Sequence, residues 1–149
     1  MRTIALKFHD NAWPLRSMFD EHQFYLSENG FTWWGKTGVP ISDKVASEVL
    51  ASDDPRVLLI HSGEKDRWWA HVDQIVYDRP NEAFIPSWYH DNPGNYSCWL
   101  RITQFEPAPK DVMSWCLVAS SKKPLFKSSS FSRSNYFIID YFEGSEGRR

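Results

Sequence analysis

Cysteine is scarce in this chain: two of 149 residues, Cys98 and Cys116, each within an apolar run. That is too few for a disulfide framework. The pair reads as reduced, buried thiols, with a cross-strand disulfide as the alternative. No apolar run approaches about 18 residues and no leader pattern opens the sequence, so nothing points to membrane or secretion and a cytoplasmic location is expected. Positive charge is not in excess. There are 17 Lys and Arg against 19 Asp and Glu, a formal net charge of -2. No overall basic field marks a nucleic-acid binder, and any such contact would depend on local Lys and Arg. Glycine is limited to seven residues. Gly35 and Gly38 lack phosphate-loop spacing and the Lys-Ser/Thr that follows it. Neither cysteine belongs to a Cys-x-x-Cys pair, which removes the zinc-deaminase pattern. His9, His22, His61, His71 and His90 are scattered without metal-ligand spacing. His61 and His71 could face each other across a hairpin, more simply as polar neighbours than as a metal pair. The apolar setting of Cys116 works against a thiolate nucleophile. No cofactor or metal is expected, and the chain does not read as an enzyme.

Aromatic residues are abundant instead: eight Trp and 16% aromatics overall. Hydrophobic residues make up 42%, enough for a folded core. The organising stretch is Phe31-Thr32-Trp33-Trp34-Gly35-Lys36, after a turn signal at Asn29-Gly30. Trp68-Trp69 and Trp88-Tyr89 are further aromatic pairs. Neighbours on a strand point to opposite faces, so paired tryptophans cannot all fill one core. Each Trp alone is most simply a core residue. Together Trp33, Trp34, Trp69, Trp88 and Tyr89 exceed what a core needs, and flat rings hold a base or a methylated ammonium well. Trp99 and Trp115 read as structural.

In chain order, Thr3 to Phe8 alternates like a strand. Pro14 suits a first helical turn, with Trp13, Met18 and Phe19 on an apolar face; Phe24 to Leu26 is ambiguous. Ser42 to Leu50 is the clearest helix, capped by Ser42 and striped by Val45, Ala46, Val49 and Leu50. Arg56 to His61 reads as a central strand, Ser62 to Asp66 as a hairpin loop, and Arg67 to Tyr77 as a long strand whose Trp68-Ala70-Val72 face looks more like core. Asp78 to Asn95 is a long irregular insertion of the functional or mobile kind. Tyr96 to Phe105 and Trp115 to Ala119 are strand candidates, and Asn135 to Phe142 is apolar and of either type. Lys122, Lys123, Lys127 and Arg133 fall in a serine-rich stretch without a nearby acid, suited either to phosphates or to solvent. One α+β domain is expected over residues 1–142, with a polar tail or linker over 143–149 and room for a C-terminal effector domain beyond it.

This order of features resembles the PUA-like superfamily, particularly EVE and YTH domains. The residues that carry the likeness are the strand Ile4 to Phe8, the Trp segment Phe31 to Lys36, and the helix Ser42 to Leu50. The hairpin Val57-Leu58-Leu59-Ile60-His61-Ser62-Gly63 through Trp69-Ala70-His71-Val72 continues it, then the Trp88 loop, Phe105-Glu106-Pro107 and Ser132-Arg133-Ser134. The resemblance implies a strongly bent β-barrel of five to six strands flanked by helices. It implies a non-catalytic reader that takes a flipped, methylated base into an aromatic cage, with DNA favoured over RNA and a modification-dependent restriction or defence setting. Carried over, Trp33 or Trp34 forms the first cage wall, Trp88 the loop wall, Ser62 approaches the base, and Arg133 meets a phosphate. An RNA-modification reader, a small nucleotide- or RNA-processing enzyme using His61, His71 or Asp73, and a methyl-lysine or peptide module are the alternatives.

Overall fold

The computed structural model describes residues 1–8, 18–61, 66–91, 96–131 and 134–142. The element order is β1 (Arg2–Phe8), α1 (Met18–Asn29), β2 (Thr32–Thr37), α2 (Asp43–Leu50), β3 (Arg56–His61), β4 (Arg67–Val76), α3 (Ser87–Asp91), β5 (Tyr96–Pro107), β6 (Cys116–Val118), α4 (Leu125–Phe131) and β7 (Tyr136–Tyr141). Single 3-10 turns at Glu82–Phe84 and Val112–Trp115 complete it. The seven strands form one bent sheet in the order β2-β5-β4-β3-β1-β7-β6. Among the described residues only β1 and β3 pair in parallel; the other ladders are antiparallel. The expected α+β class is therefore present, with seven strands among the described residues against an expected five to six. Among the described residues no ladder closes the sheet into a barrel.

Sequence accounts for most of these elements. Asn29-Gly30 ends α1 because Gly30 adopts φ +82°, a left-handed conformation. In α2 the Ser42 side chain accepts a hydrogen bond from the Val45 N–H at 3.2 Å, as a capping residue does. α1 was harder to read, because its buried positions include Glu21 and His22 beside Met18 and Phe19. Polar residues on the inward face hide the helical period, so Phe24 to Leu26 looked ambiguous although the helix runs through it. The turn expected at Trp13-Pro14, the hairpin loop at Ser62 to Lys65, residues 92–95, Ser132-Arg133 and the tail 143–149 lie outside the described residues.

Alternation along the strands builds two cores on opposite faces of the central strands, and at the β2–β5 edge the first core takes side chains from both faces. The inner one contains Ile4, Leu6, Phe8, Trp34, Val57, Leu59, Ala70, Val72, Leu100 and Ile102, under α1 and α2. The outer one contains Ala5, Leu58, Ile60, Trp69, Val112, Met113, Cys116, Leu125, Ile139 and Tyr141, under β6, α4 and the Val112–Trp115 turn. Central strands are thus buried on both faces, which is why β3 reads as a continuous apolar run. The insertion at Asp78 to Asn95 is not simply a surface loop. Ile85 and Tyr89 are wholly buried and Trp88 is 7% exposed, so its described part packs into the first core.

Where β2 and β7 approach without a ladder, side chains bridge them. The Lys36 ammonium donates to the Thr37 carbonyl at 3.0 Å, to the Val39 carbonyl, and to Asn135 Oδ1 at 3.5 Å. It also lies 4.5 Å from the centre of the Tyr136 ring. Asn135 Nδ2 returns a bond to the Thr37 carbonyl at 3.3 Å.

Candidate nucleic-acid interface

Rings gather at the end of the sheet where β1 and β3 stop. β1 stops at Phe8 and β3 at His61, while β4 starts at Arg67, and β5 reaches Pro107 there. Phe8 stacks on His61 with centroids 4.6 Å apart and planes 17° apart. It meets Trp34 edge-on at 5.1 Å and Phe19 at 6.1 Å. Phe19 in turn contacts Trp68 at 4.6 Å and Phe105 at 4.9 Å, and Trp34 lies 6.4 Å from Phe105. Phe8, Phe19 and Trp34 are buried; His61, Trp68 and Phe105 are half-buried. Five strands and α1 therefore converge on a group of rings with a buried floor and a partly open rim. Offset and edge-on rings of this kind are mutually stabilising, and their remaining faces offer stacking surface.

The aromatic residues singled out from sequence take different positions. Trp33 (9% exposed) and Trp34 (3%) are both in the first core, so the expectation that one of the pair stands open to a ligand is not met in the free chain. Trp34 forms part of the floor described above; Trp33 is on the opposite side of β2. Trp69 belongs to the second core, 2% exposed, with its ring 5.0 Å from Tyr141 and the Arg56 guanidinium 4.3 Å above it. Being one residue from Trp68, it points through the sheet, so this candidate base-binding ring packs in the second core and not beside Trp34. Trp88 contacts Tyr89 edge-on at 5.0 Å, and both are buried. Ser62 lies outside the described residues.

Tyr89 has a structural task. Its hydroxyl accepts from the Gly35 N–H at 2.8 Å and donates to His22 Nε2 at 2.8 Å, while His22 Nδ1–H donates to the Met18 carbonyl at 2.6 Å. The carbonyl can only accept, which assigns the His22 proton to Nδ1. Burial pushes the His22 pKa down to about 4, only partly opposed by contacts with the Met18 and Trp33 backbone. Burial likewise pushes the Tyr89 hydroxyl well above its ordinary value. The relay ties α1 and α3 to β2, at the end of the strand order. Gly35 is also closely covered: a Cβ there would stand 2.8 Å from Trp99 Cζ3 and 2.8 Å from Tyr96 Cδ1.

The basic residues do not gather at the aromatic end. Lys122 Nζ is 3.6 Å from Asp140, which also holds Arg2 at 2.9 Å. The stretch therefore does have an acid near it, and Arg2 is at the opposite end of β1 from Phe8. Lys123 and Lys127 are exposed; Arg133 lies outside the described residues. His71 is held between Asp54 at 3.1 Å and Glu106 at 2.7 Å, and Asp73 pairs with Arg101. The hairpin register sets Arg56 opposite His71, so His61 is far along the strand from His71 and the two do not face each other. Cys98 and Cys116 are both free and buried, and burial pushes the Cys116 thiol up to about 12. Among the described residues no group of three His, Cys, Asp or Glu could hold a metal ion, and no helix is long and apolar enough to cross a membrane.

None of Phe8, Phe19, His61, Trp68 and Phe105 is among the base-binding residues expected from sequence; His61 stands there only in the enzyme alternative. Phe8 ends β1, Phe105 lies two residues before the end of β5, and Trp68 alternates with Trp69; only the strand order brings them together.

A bent mixed sheet with helices on both faces and rings gathered at one end defines the class of protein. The Pua-like family profile matches residues 4–145, and the chain belongs to the Pua-like family. At the level of that family, the domain is a nucleic-acid-binding one. No curated protein and no solved structure matches the chain.

Proposed function

We propose that this Pua-like domain is a binding module, without catalysis of its own, that accepts one unstacked base on the rings at its aromatic end. The observation that carries this reading is the half-buried trio His61, Trp68 and Phe105, backed by the buried Phe8, Phe19 and Trp34. A base brought there replaces stacking in its own strand with stacking on protein rings. Unstacking costs a few kcal/mol, and base–aromatic stacking returns about 1–3 kcal/mol per base. A methyl group on the base adds about 0.8 kcal/mol if buried. That increment supports a methylated base as the preferred ligand. The preference for DNA over RNA, the restriction or defence setting and a C-terminal effector rest on the resemblance to EVE-like domains.

The test is titration of the protein with methylated and unmodified oligonucleotides, as DNA and as RNA. Tighter binding of a methylated strand, lost by about tenfold or more in Trp68→Ala, is the expected result. Equal weak binding to every strand, unchanged in Trp68→Ala, would refute it. Tighter binding of the RNA series keeps the base-binding site and removes the DNA preference.

A further inference from the structure

We propose that Thr32 reads the polar edge of the bound base; this role rests on the base-binding reading above. Thr32 opens β2, is wholly buried, and its Oγ1 has no hydrogen-bond partner. The comparably buried Thr3 hydroxyl, by contrast, donates to the Arg56 carbonyl at 2.6 Å. Buried hydroxyls are normally paired, because an unpaired one has lost its water and gained nothing.

Position gives the hydroxyl its use. Alternation along β2 sets Thr32 on the same face as Trp34 and Lys36, and away from Trp33 and Gly35. Its cross-strand neighbour is Ile102, and Val72 stands opposite Ile102 on β4. Both are buried and apolar, so neither side chain offers the hydroxyl a partner. β2 runs antiparallel to β5, whose far end carries Phe105. Thr32 therefore lies between Trp34 and the aromatic end of the sheet. The Trp34 ring itself reaches that end, 5.1 Å from Phe8 and 6.4 Å from Phe105.

A base-binding site needs few polar groups, but those few orient the ligand. A hydroxyl both donates and accepts, so it can meet a ring nitrogen, a carbonyl oxygen or an amine on a base edge. A neutral heteroaromatic base satisfies both the rings and the hydroxyl. A trimethylated ammonium, which has no N–H to donate, would satisfy the rings and leave the hydroxyl as it is. The ligand class is therefore a base whose hydrogen-bonding edge turns towards β2.

The experiment compares Thr32→Val, which keeps shape and removes the hydroxyl, with Thr32→Ser, which keeps the hydroxyl. Thermal melting of the free protein and oligonucleotide titration are read together. Thr32→Val is expected to melt at or above the wild type, to bind its preferred strand about tenfold more weakly, and to discriminate less between bases. Thr32→Ser is expected to retain binding and discrimination. A Thr32→Val protein that melts lower would show a structural hydrogen bond and overturn the proposal. So would unchanged affinity and discrimination in Thr32→Val while Trp68→Ala loses binding; that result leaves base binding standing. Wild-type protein that binds no oligonucleotide would overturn both readings.

Discussion

His22 is neutral in the fold because it is buried with its two nitrogens bonded to Met18 and Tyr89. In the unfolded chain its pKa returns to about 6.5. Between about 6.5 and about 4 the unfolded state binds the extra proton, so stability falls as pH falls through that window. The full effect is about 3 kcal/mol by the linkage relation. Denaturant titrations at pH 7 and pH 4.5 are expected to show a decline that His22→Gln flattens. At Gly35, the two 2.8 Å approaches allow no side chain. Gly35→Ala is expected to destabilise by about 1–3 kcal/mol through overpacking, read as a lower denaturation midpoint. Neither residue announced this in the sequence. A glycine between Trp34 and Lys36 has the same letters whether or not a ring from β5 lies over it.

At the scale of elements, β2 and β4 each place a Trp pair across the sheet. Alternation was legible from sequence and held: Trp33 opposes Trp34, and Trp68 opposes Trp69. What covers each face was not legible. Trp69 is covered by the Val112–Trp115 turn, β6 and α4, a region read as loop and weak strand. Trp69→Ala is therefore expected to destabilise by about 3–5 kcal/mol as a core truncation, measured by thermal or denaturant unfolding. Trp68→Ala, at the half-buried rim, should affect folding less and binding more. Tyr89→Phe tests the relay at β2. It leaves the Gly35 N–H and His22 Nε2 without their partner, and is expected to cost about 1–3 kcal/mol in unfolding free energy.

Over the whole molecule, charge is nearly balanced, so nucleic-acid affinity should draw little on a global field. Each phosphate contact contributes about 0.9 to the slope of log K against log salt on duplex DNA. If the exposed Lys123 and Lys127 meet phosphates, Lys123→Ala and Lys127→Ala should each lower that slope by about one contact. Lys122→Ala should not, because Asp140 already engages that ammonium. Salt-dependent titrations of the three variants decide the matter; equal slopes in all three would remove the lysines from the interface.

The Pua-like architecture was legible through the resemblance of the feature order to a known family. The strand alternation, the capped helix at Ser42 and the surplus of rings were determined by the sequence itself, from local periodicity and from residue types whose preferences act over a few positions. Only the tertiary structure decided which rings are spent on the core and which remain half open. Trp33, Trp69, Trp88 and Tyr89 are covered by segments distant in sequence. Phe8, His61, Trp68 and Phe105 are brought to one end by the pairing of β1 with β3, β3 with β4, and β4 with β5. Burial of a side chain depends on what the rest of the chain lays over it, and that is a long-range property no local pattern encodes.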